Sequence, residues 1–226
     1  MNVLITGGSG HLGGALVQHF LNSGTSVTTT SHLGSTPVGA TSIAIDLSRP
    51  GSGEELALRL AAEDFKVIIH NAADQSVAEI AQQDSKAIHA MLSTNFASIA
   101  EFTSAWARSK KVPESIIGIS SVEAASARPG HALYGASKAG LSAYLRTAAV
   151  ELAPTRVNSI RLGLMDRSGL REQWPTGVQA WESAVPTRRM GTPADLIQAI
   201  EYLNAASWVT GTELVLDGGL SATAGW

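Results

Sequence analysis

Val3-Leu4-Ile5-Thr6-Gly7-Gly8-Ser9-Gly10-His11-Leu12-Gly13 is the stretch that decides the fold. Apolar and β-branched residues from Val3 to Thr6 read as a strand and run directly into a glycine-rich turn. The pattern from Gly13 to Ser23 reads as a helix. Glycines let a backbone approach a pyrophosphate, and a helix start offers free N–H groups and a positive dipole end. The position of this turn, between the first strand and the first helix, points to a dinucleotide cradle built from Gly7, Ser9, Gly10, His11, Leu12 and Gly13. The alternative is a turn that merely packs a strand against a helix.

Outward from this unit the same alternation continues. Val27–Thr30, Ser42–Ile45, Val67–His70, Ser115–Ser120, Arg156–Arg161 and Glu213–Leu216 read as strands. Glu54–Ala62, a segment around Lys86–Ser109, Tyr134–Ala153 and Pro193–Asn204 read as helices, with Pro154 as a stop. Strand and helix in turn predict an α/β fold: a Rossmann-like, doubly wound parallel sheet of about seven strands with helices on both faces. No linker divides residues 1–226, which reads as one dinucleotide-binding and catalytic domain. The least regular stretch, Leu164–Thr192, is expected to form a short substrate cap.

Three further positions belong to the expected cofactor site. Asp46-Leu47 follows the third strand, where an acid and an apolar neighbour could hold an adenine, although the aspartate could equally cap a turn. Asn71-Ala72-Ala73 ends the fourth strand with small residues that let a cofactor lie close, or simply turns the chain. The second strand closes as Thr29-Thr30-Ser31-His32, without the carboxylate that binds ribose hydroxyls and repels a 2′-phosphate. Ser31 and His32 could contact a phosphate, so the balance leans toward NADP(H) over NAD(H).

Tyr134-Gly135-Ala136-Ser137-Lys138 stacks a phenol and an ammonium on one helix face. A nearby cation stabilises a phenolate and is expected to lower the tyrosine pKa. Lys138 would also reach a ribose hydroxyl, so both residues count toward the cofactor site. Alone the pair could be a surface feature. Ser120-Ser121 ends the fifth strand, and Ser121 stands thirteen positions before Tyr134. With Thr94-Asn95-Phe96, Asn158-Ser159-Ile160-Arg161, Gly191-Thr192-Pro193-Ala194-Asp195, Thr210-Gly211 and Asp217-Gly218-Gly219, the chain resembles the short-chain dehydrogenase/reductase family over nearly its whole length. That resemblance implies a catalytic set of Asn95, Ser121, Tyr134 and Lys138. Ser121 polarises a carbonyl, Tyr134 transfers its proton, Lys138 tunes the tyrosine and anchors the ribose, and Asn95 holds a water that links the lysine to solvent. The implied reaction is NAD(P)-dependent reduction of a ketone or aldehyde. Three departures stand out: the Gly7, Gly10, Gly13 spacing, which resembles sugar epimerases of the longer-chain branch; Leu162-Gly163 in place of Pro-Gly; and Arg167 or Ser168 where the family has a threonine for the nicotinamide amide.

Composition narrows the alternatives. With 44% hydrophobic and 15% charged residues and a net charge of -3, the chain suits a soluble, cytoplasmic protein with no nucleic-acid or membrane partner. It has no cysteine, and no metal site is expected. Its N-terminus lacks the basic start of a signal peptide. Arg128, His131, Arg167, Arg171, Arg188 and Arg189 could form a pocket for an anionic substrate or be solvated surface charge. A nucleotide-sugar epimerase or dehydratase is the second reading, although little chain remains after the sixth strand for a substrate lobe. A non-catalytic NADP-sensing protein is the third. Apolar residues on the long helices, including Ala139, Leu141, Leu145, Ala148 and Leu152, suggest a homodimer or homotetramer.

Overall fold

The computed structural model describes residues 2–32 and 35–223. Seven parallel strands form one sheet: β1 (Asn2–Ile5), β2 (Ser26–Ser31), β3 (Thr41–Ala44), β4 (Val67–His70), β5 (Ser115–Ser121), β6 (Arg156–Leu162) and β7 (Glu213–Leu216). Their order is β3-β2-β1-β4-β5-β6-β7. The helices are α1 (His11–Asn22), α2 (Ser52–Arg59), α3 (Ser85–Leu92), α4 (Ser98–Arg108), α5 (Ala132–Glu151), α6 (Leu170–Gln173), α7 (Pro175–Ala184) and α8 (Pro193–Ala205). The doubly wound fold expected from the alternation is the one observed.

Period-two alternation along each strand divides the core. Val3, Ile5, Ile69, Ile117 and Ile160 pack with Leu16, Val17, Leu196 and Ile200 of α1 and α8. Leu4, Ile68 and Ile116 face the other way, against Phe102 and Trp106 of α4 and Leu141 and Leu145 of α5. Burial of both sheet faces is why the strands read as continuous apolar runs. The chain leaves β1 toward β2 and β3, then returns to place β4 on β1's other side. The carboxyl ends of β1 and β4 therefore flank the reversal point, where open α/β sheets bind ligands.

Two segments depart from the sequence expectation. The helix expected around Lys86–Ser109 is broken by a π turn at Ser93–Ala97, which holds the buried Asn95. The stretch Leu164–Thr192 is not irregular: it contains α6 and α7, with Pro175 at the first turn of α7. Trp174, Trp181, Leu164, Leu170, Val178 and Met190 supply a small apolar core of its own, which gives those helices something to pack on.

Candidate active site

The glycines of the first turn serve different purposes. A side chain at Gly8 would meet Thr29 Oγ1 at 2.1 Å, and one at Gly13 would meet the Gly7 carbonyl at 2.1 Å. Gly7 has φ of +76° and touches Ala72. These three let β1, β2, α1 and β4 close up. At Gly10 an added carbon meets only the Gly7 oxygen at 3.4 Å, so packing does not require a glycine there. Gly10 opens α1 without a side-chain cap, and the first helical turn carries no acid. The first N–H groups of α1 therefore face an exposed cradle formed with Ser9 and His11. An anion fits this opening.

The other cofactor candidates are distributed around it. Asn71 gives its side-chain amide to the Thr6 carbonyl (3.0 Å), and Thr6 Oγ1 accepts from the backbone N–H groups of Asn71 and Ala72. Asn71 thus braces the turn from β4, with Ala72 and Ala73 beside it. Leu47 packs at the edge of the second core. Asp46 Oδ1 accepts from Ser48 N (2.9 Å) and Ser48 Oγ (2.6 Å), which holds its carboxyl below the usual range. The same oxygen lies 3.7 Å from His32 Nδ1. The second-strand corner, acid-free in sequence, has a neighbouring carboxylate in space. Ser31 is buried.

Ser121 ends β5, and Tyr134 and Lys138 lie one turn apart on α5. Ser121 and Tyr134 share a side-chain hydrogen bond. Lys138 is 2% exposed and donates to the Ile119 carbonyl at 2.8 Å. Its Nζ stands 5.8 Å from the Tyr134 ring centre. Burial pushes the ammonium down to about 8. Tyr134 moves against expectation: burial pushes it up to about 12, the Ser121 bond opposing and Glu123 adding to the rise. Desolvation of the phenolate is the largest effect, and Lys138 is not among the groups that shift this phenol. Tyr134 is therefore a neutral phenol at physiological pH.

Lys138 also supplies a test of the cofactor reading. An ammonium has three donors, and the Ile119 carbonyl alone leaves this buried group short of acceptors among the described residues. A ribose diol would satisfy it. Asn95 is buried in the π turn. Its amide donates to the Asp74 carbonyl (2.9 Å) and Ser137 Oγ (3.0 Å), and its oxygen accepts from Asp74 N (2.7 Å). The side chain ties the loop after β4 to α5 rather than reaching toward Lys138. Ser137 completes the link by donating to the Tyr134 carbonyl at 2.7 Å.

The family profile described as Enoyl-(Acyl carrier protein) reductase matches residues 12–221. The chain belongs to the short-chain dehydrogenase/reductase family. The "Uncharacterized oxidoreductase MT0954" of Mycobacterium tuberculosis is 41% identical over 112 residues, 47% of this chain and 43% of that protein. The chain thus spans less than half the length of the first curated relatives it matches. A 3-oxoacyl-[acyl-carrier-protein] reductase of Chlamydia pneumoniae is 27% identical over 97% of this chain and 96% of its own. In fold, a 4-hydroxyisoleucine dehydrogenase complexed with NADH superposes with a TM-score of 0.87 at 24% identity, covering 99% of each chain.

Relative to the pattern of a short-chain dehydrogenase/reductase, the departures acquire physical content. The glycine of Leu162-Gly163 is needed, since a side chain there would strike Trp181 at 2.8 Å and Asp217 at 2.9 Å. Arg167, exposed, lines a cleft of about 350 Å³ with His11, Ser168, Arg171 and Thr192. Arg171 pairs with Glu182, Arg189 with Asp195 and Arg128 with Glu123, while Arg188 donates to the Ser183 carbonyl. Only tertiary packing reveals these partners.

Glu123 was not singled out from sequence. Its N–H donates to Ser121 Oγ (3.2 Å), its Oε2 lies 2.7 Å from His131 Nδ1, and His131 sits edge-on to Tyr134. An acid two positions after Ser121 was the available signal. Ser120 proves to be a brace: it contacts the Lys138 carbonyl (3.3 Å) and Ser142 (2.7 Å), which reaches Glu213, itself paired with Arg161. Among the described residues no cluster of acidic, histidine or cysteine side chains suits a metal, and no helix is long and apolar enough to cross a membrane.

Proposed function

We propose that the chain reduces a ketone or aldehyde of a small metabolite to an alcohol, with NADP(H) as cofactor and Tyr134 as proton donor. The observation that carries this is the half-buried phenol of Tyr134, bonded to Ser121 and backed by an underbonded ammonium. The bound nicotinamide supplies the hydride. Ser121 donates to the carbonyl oxygen as charge develops on it, and Tyr134 delivers the proton to that oxygen. A tyrosine kept neutral suits reduction, in which it begins as an acid. Lys138 would hold the ribose of the bound cofactor with its remaining donors and would keep a proton available to Tyr134. Asn95 acts by holding Ser137 and the loop at Asp74, which fixes the start of α5.

Gly7, Ser9, Gly10, His11, Leu12 and Gly13 would hold the pyrophosphate, Asp46 and Leu47 the adenine, and Ala72 and Ala73 the adjoining ribose. The NADP(H) preference rests on Ser31 and His32, because Asp46 is turned into its own bonds with Ser48. Residues 1–226 act as one catalytic domain, with α6 and α7 as the substrate cap, in a cytoplasmic enzyme. Exposed Val150, Tyr202, Trp208 and Val215 support a homodimer or homotetramer, which light scattering would test. Tyr134→Phe should abolish turnover while cofactor binding, followed by NADPH fluorescence, persists. An unimpaired variant would remove the assignment.

A further inference from the structure

We infer that Arg167, reaching from the cap, is a cofactor-binding residue that pairs with the pyrophosphate at the start of α1 and closes the dinucleotide site. The inference rests on the cofactor reading above and adds to it a residue far from the glycine turn in sequence.

The cleft of about 350 Å³ joins two distant parts of the chain, with His11 on one wall and Asp166, Arg167, Arg171 and Glu172 on the other. Two helices begin at it, α1 at His11 and α8 at Pro193. The start of α8 is closed, since Thr192 and Asp195 form a reciprocal capping box and Arg189 pairs with Asp195. The start of α1 is open, with no side-chain cap and no acid in its first turn. An anion entering the cleft therefore finds its backbone donors at α1.

The charges of the cap single out Arg167 as the other half of the contact. The acids Asp166 and Glu172 both act on Arg171, which pairs with Glu182 at 2.7 Å. Arg167 is exposed and has no hydrogen-bond or ion-pair partner for its side chain among the described residues. Its backbone is nonetheless fixed. Asp166 N–H donates to the Gly191 carbonyl (2.7 Å), Gly191 N–H to the Leu164 carbonyl (3.0 Å), and the Arg167 carbonyl accepts from Leu170 N–H (3.0 Å). A guanidinium on a held main chain and without an acceptor suits a bidentate contact with a phosphate.

The sheet explains how this loop meets the ligand. β6 lies beside β5 with Leu162 opposite Ser121, so the chain leaves the sheet next to Ser121 before it reaches Arg167. The cleft then bridges the carboxyl edge from the turn after β1 to the loop after β6. A dinucleotide running from α1 to the underbonded, buried Lys138 follows that edge.

The test measures Kd for NADPH and NADH by their fluorescence, and for adenosine 2′-phosphate, which lacks the pyrophosphate, by displacement of NADPH. Arg167→Gln should weaken both dinucleotides by the same factor, about tenfold or more, the loss of a charge-assisted hydrogen bond. Adenosine 2′-phosphate should bind the native and variant proteins equally. Arg167→Lys should recover part of the loss, and Arg171→Gln should leave all three affinities unchanged. The thermal midpoint of the cofactor-free protein should not move in Arg167→Gln, because the side chain is exposed and unpaired. Unchanged dinucleotide affinity in Arg167→Gln, a loss confined to NADPH, an equal loss for adenosine 2′-phosphate, or the same loss in Arg171→Gln overturns the inference alone. Native protein that binds neither dinucleotide overturns the cofactor reading and the inference with it.

Discussion

His70 ends β4, 2% exposed, with neither ring nitrogen hydrogen-bonded. It presents its ring edge to Phe102 at 5.7 Å beside a cavity of about 10 Å³, room for one water centre. Burial pushes its pKa from 6.5 down to about 4. The unfolded chain therefore binds a proton that the folded chain refuses throughout this window, so stability falls as pH drops from 6.5 toward 4. Complete titration is worth roughly 3 kcal/mol, most of it already lost at pH 4.5. His70→Phe removes the titrating group at similar volume. Urea unfolding of both proteins at pH 7.5 and 4.5 should show the native chain losing roughly 2 to 3 kcal/mol more than the variant. At pH 7.5 the variant should be no less stable, because an unsatisfied polar ring has been removed. Parallel pH dependence in the two proteins would refute the reasoning.

The glycines give a paired prediction: Gly13→Ala should destabilise the fold by several kcal/mol in thermal unfolding, whereas Gly10→Ala should fold normally yet bind NADPH at least tenfold more weakly. Equal thermal losses would contradict the division of roles drawn from the 2.1 Å and 3.4 Å contacts. Lys138 falls from 10.5 to about 8 on folding, so the cofactor-free protein should gain stability as pH rises from 8 toward 10; Lys138→Met should lack this slope. Denaturant midpoints across that range decide the matter. His32→Asp should move the ratio of kcat/KM for NADPH over NADH toward NADH by at least tenfold, and an unmoved ratio would detach cofactor choice from this corner.

Much of the site was legible because its signals are local. The phosphate turn shows itself through glycines whose missing side chains make room for neighbouring backbone, and Tyr134 and Lys138 through helical spacing. Ser121 became visible through its distance from Tyr134 together with the family resemblance. Other features were not local. Arg161 meets Glu213 across 52 residues, so neither charge looks paired in the sequence. The cap helices were read as irregular because their apolar residues are few and their core is supplied by Trp174 and Trp181 packing on each other's segments. The π turn at Asn95 follows from how the helix meets the loop at Asp74, which no helical periodicity reports.

By itself the sequence determined the order of strands and helices, and it pointed to the glycine turn and to Tyr134, Lys138 and Ser121 as the candidate site. These depend on sterics and periodicity within a few residues. Only the tertiary structure decided the charge state of Tyr134, the pairing of the cap arginines and the union of Glu123 with His131. Burial and ion pairing depend on what distant parts of the chain bring alongside, and in the low-dielectric interior those neighbours outweigh a side chain's intrinsic chemistry.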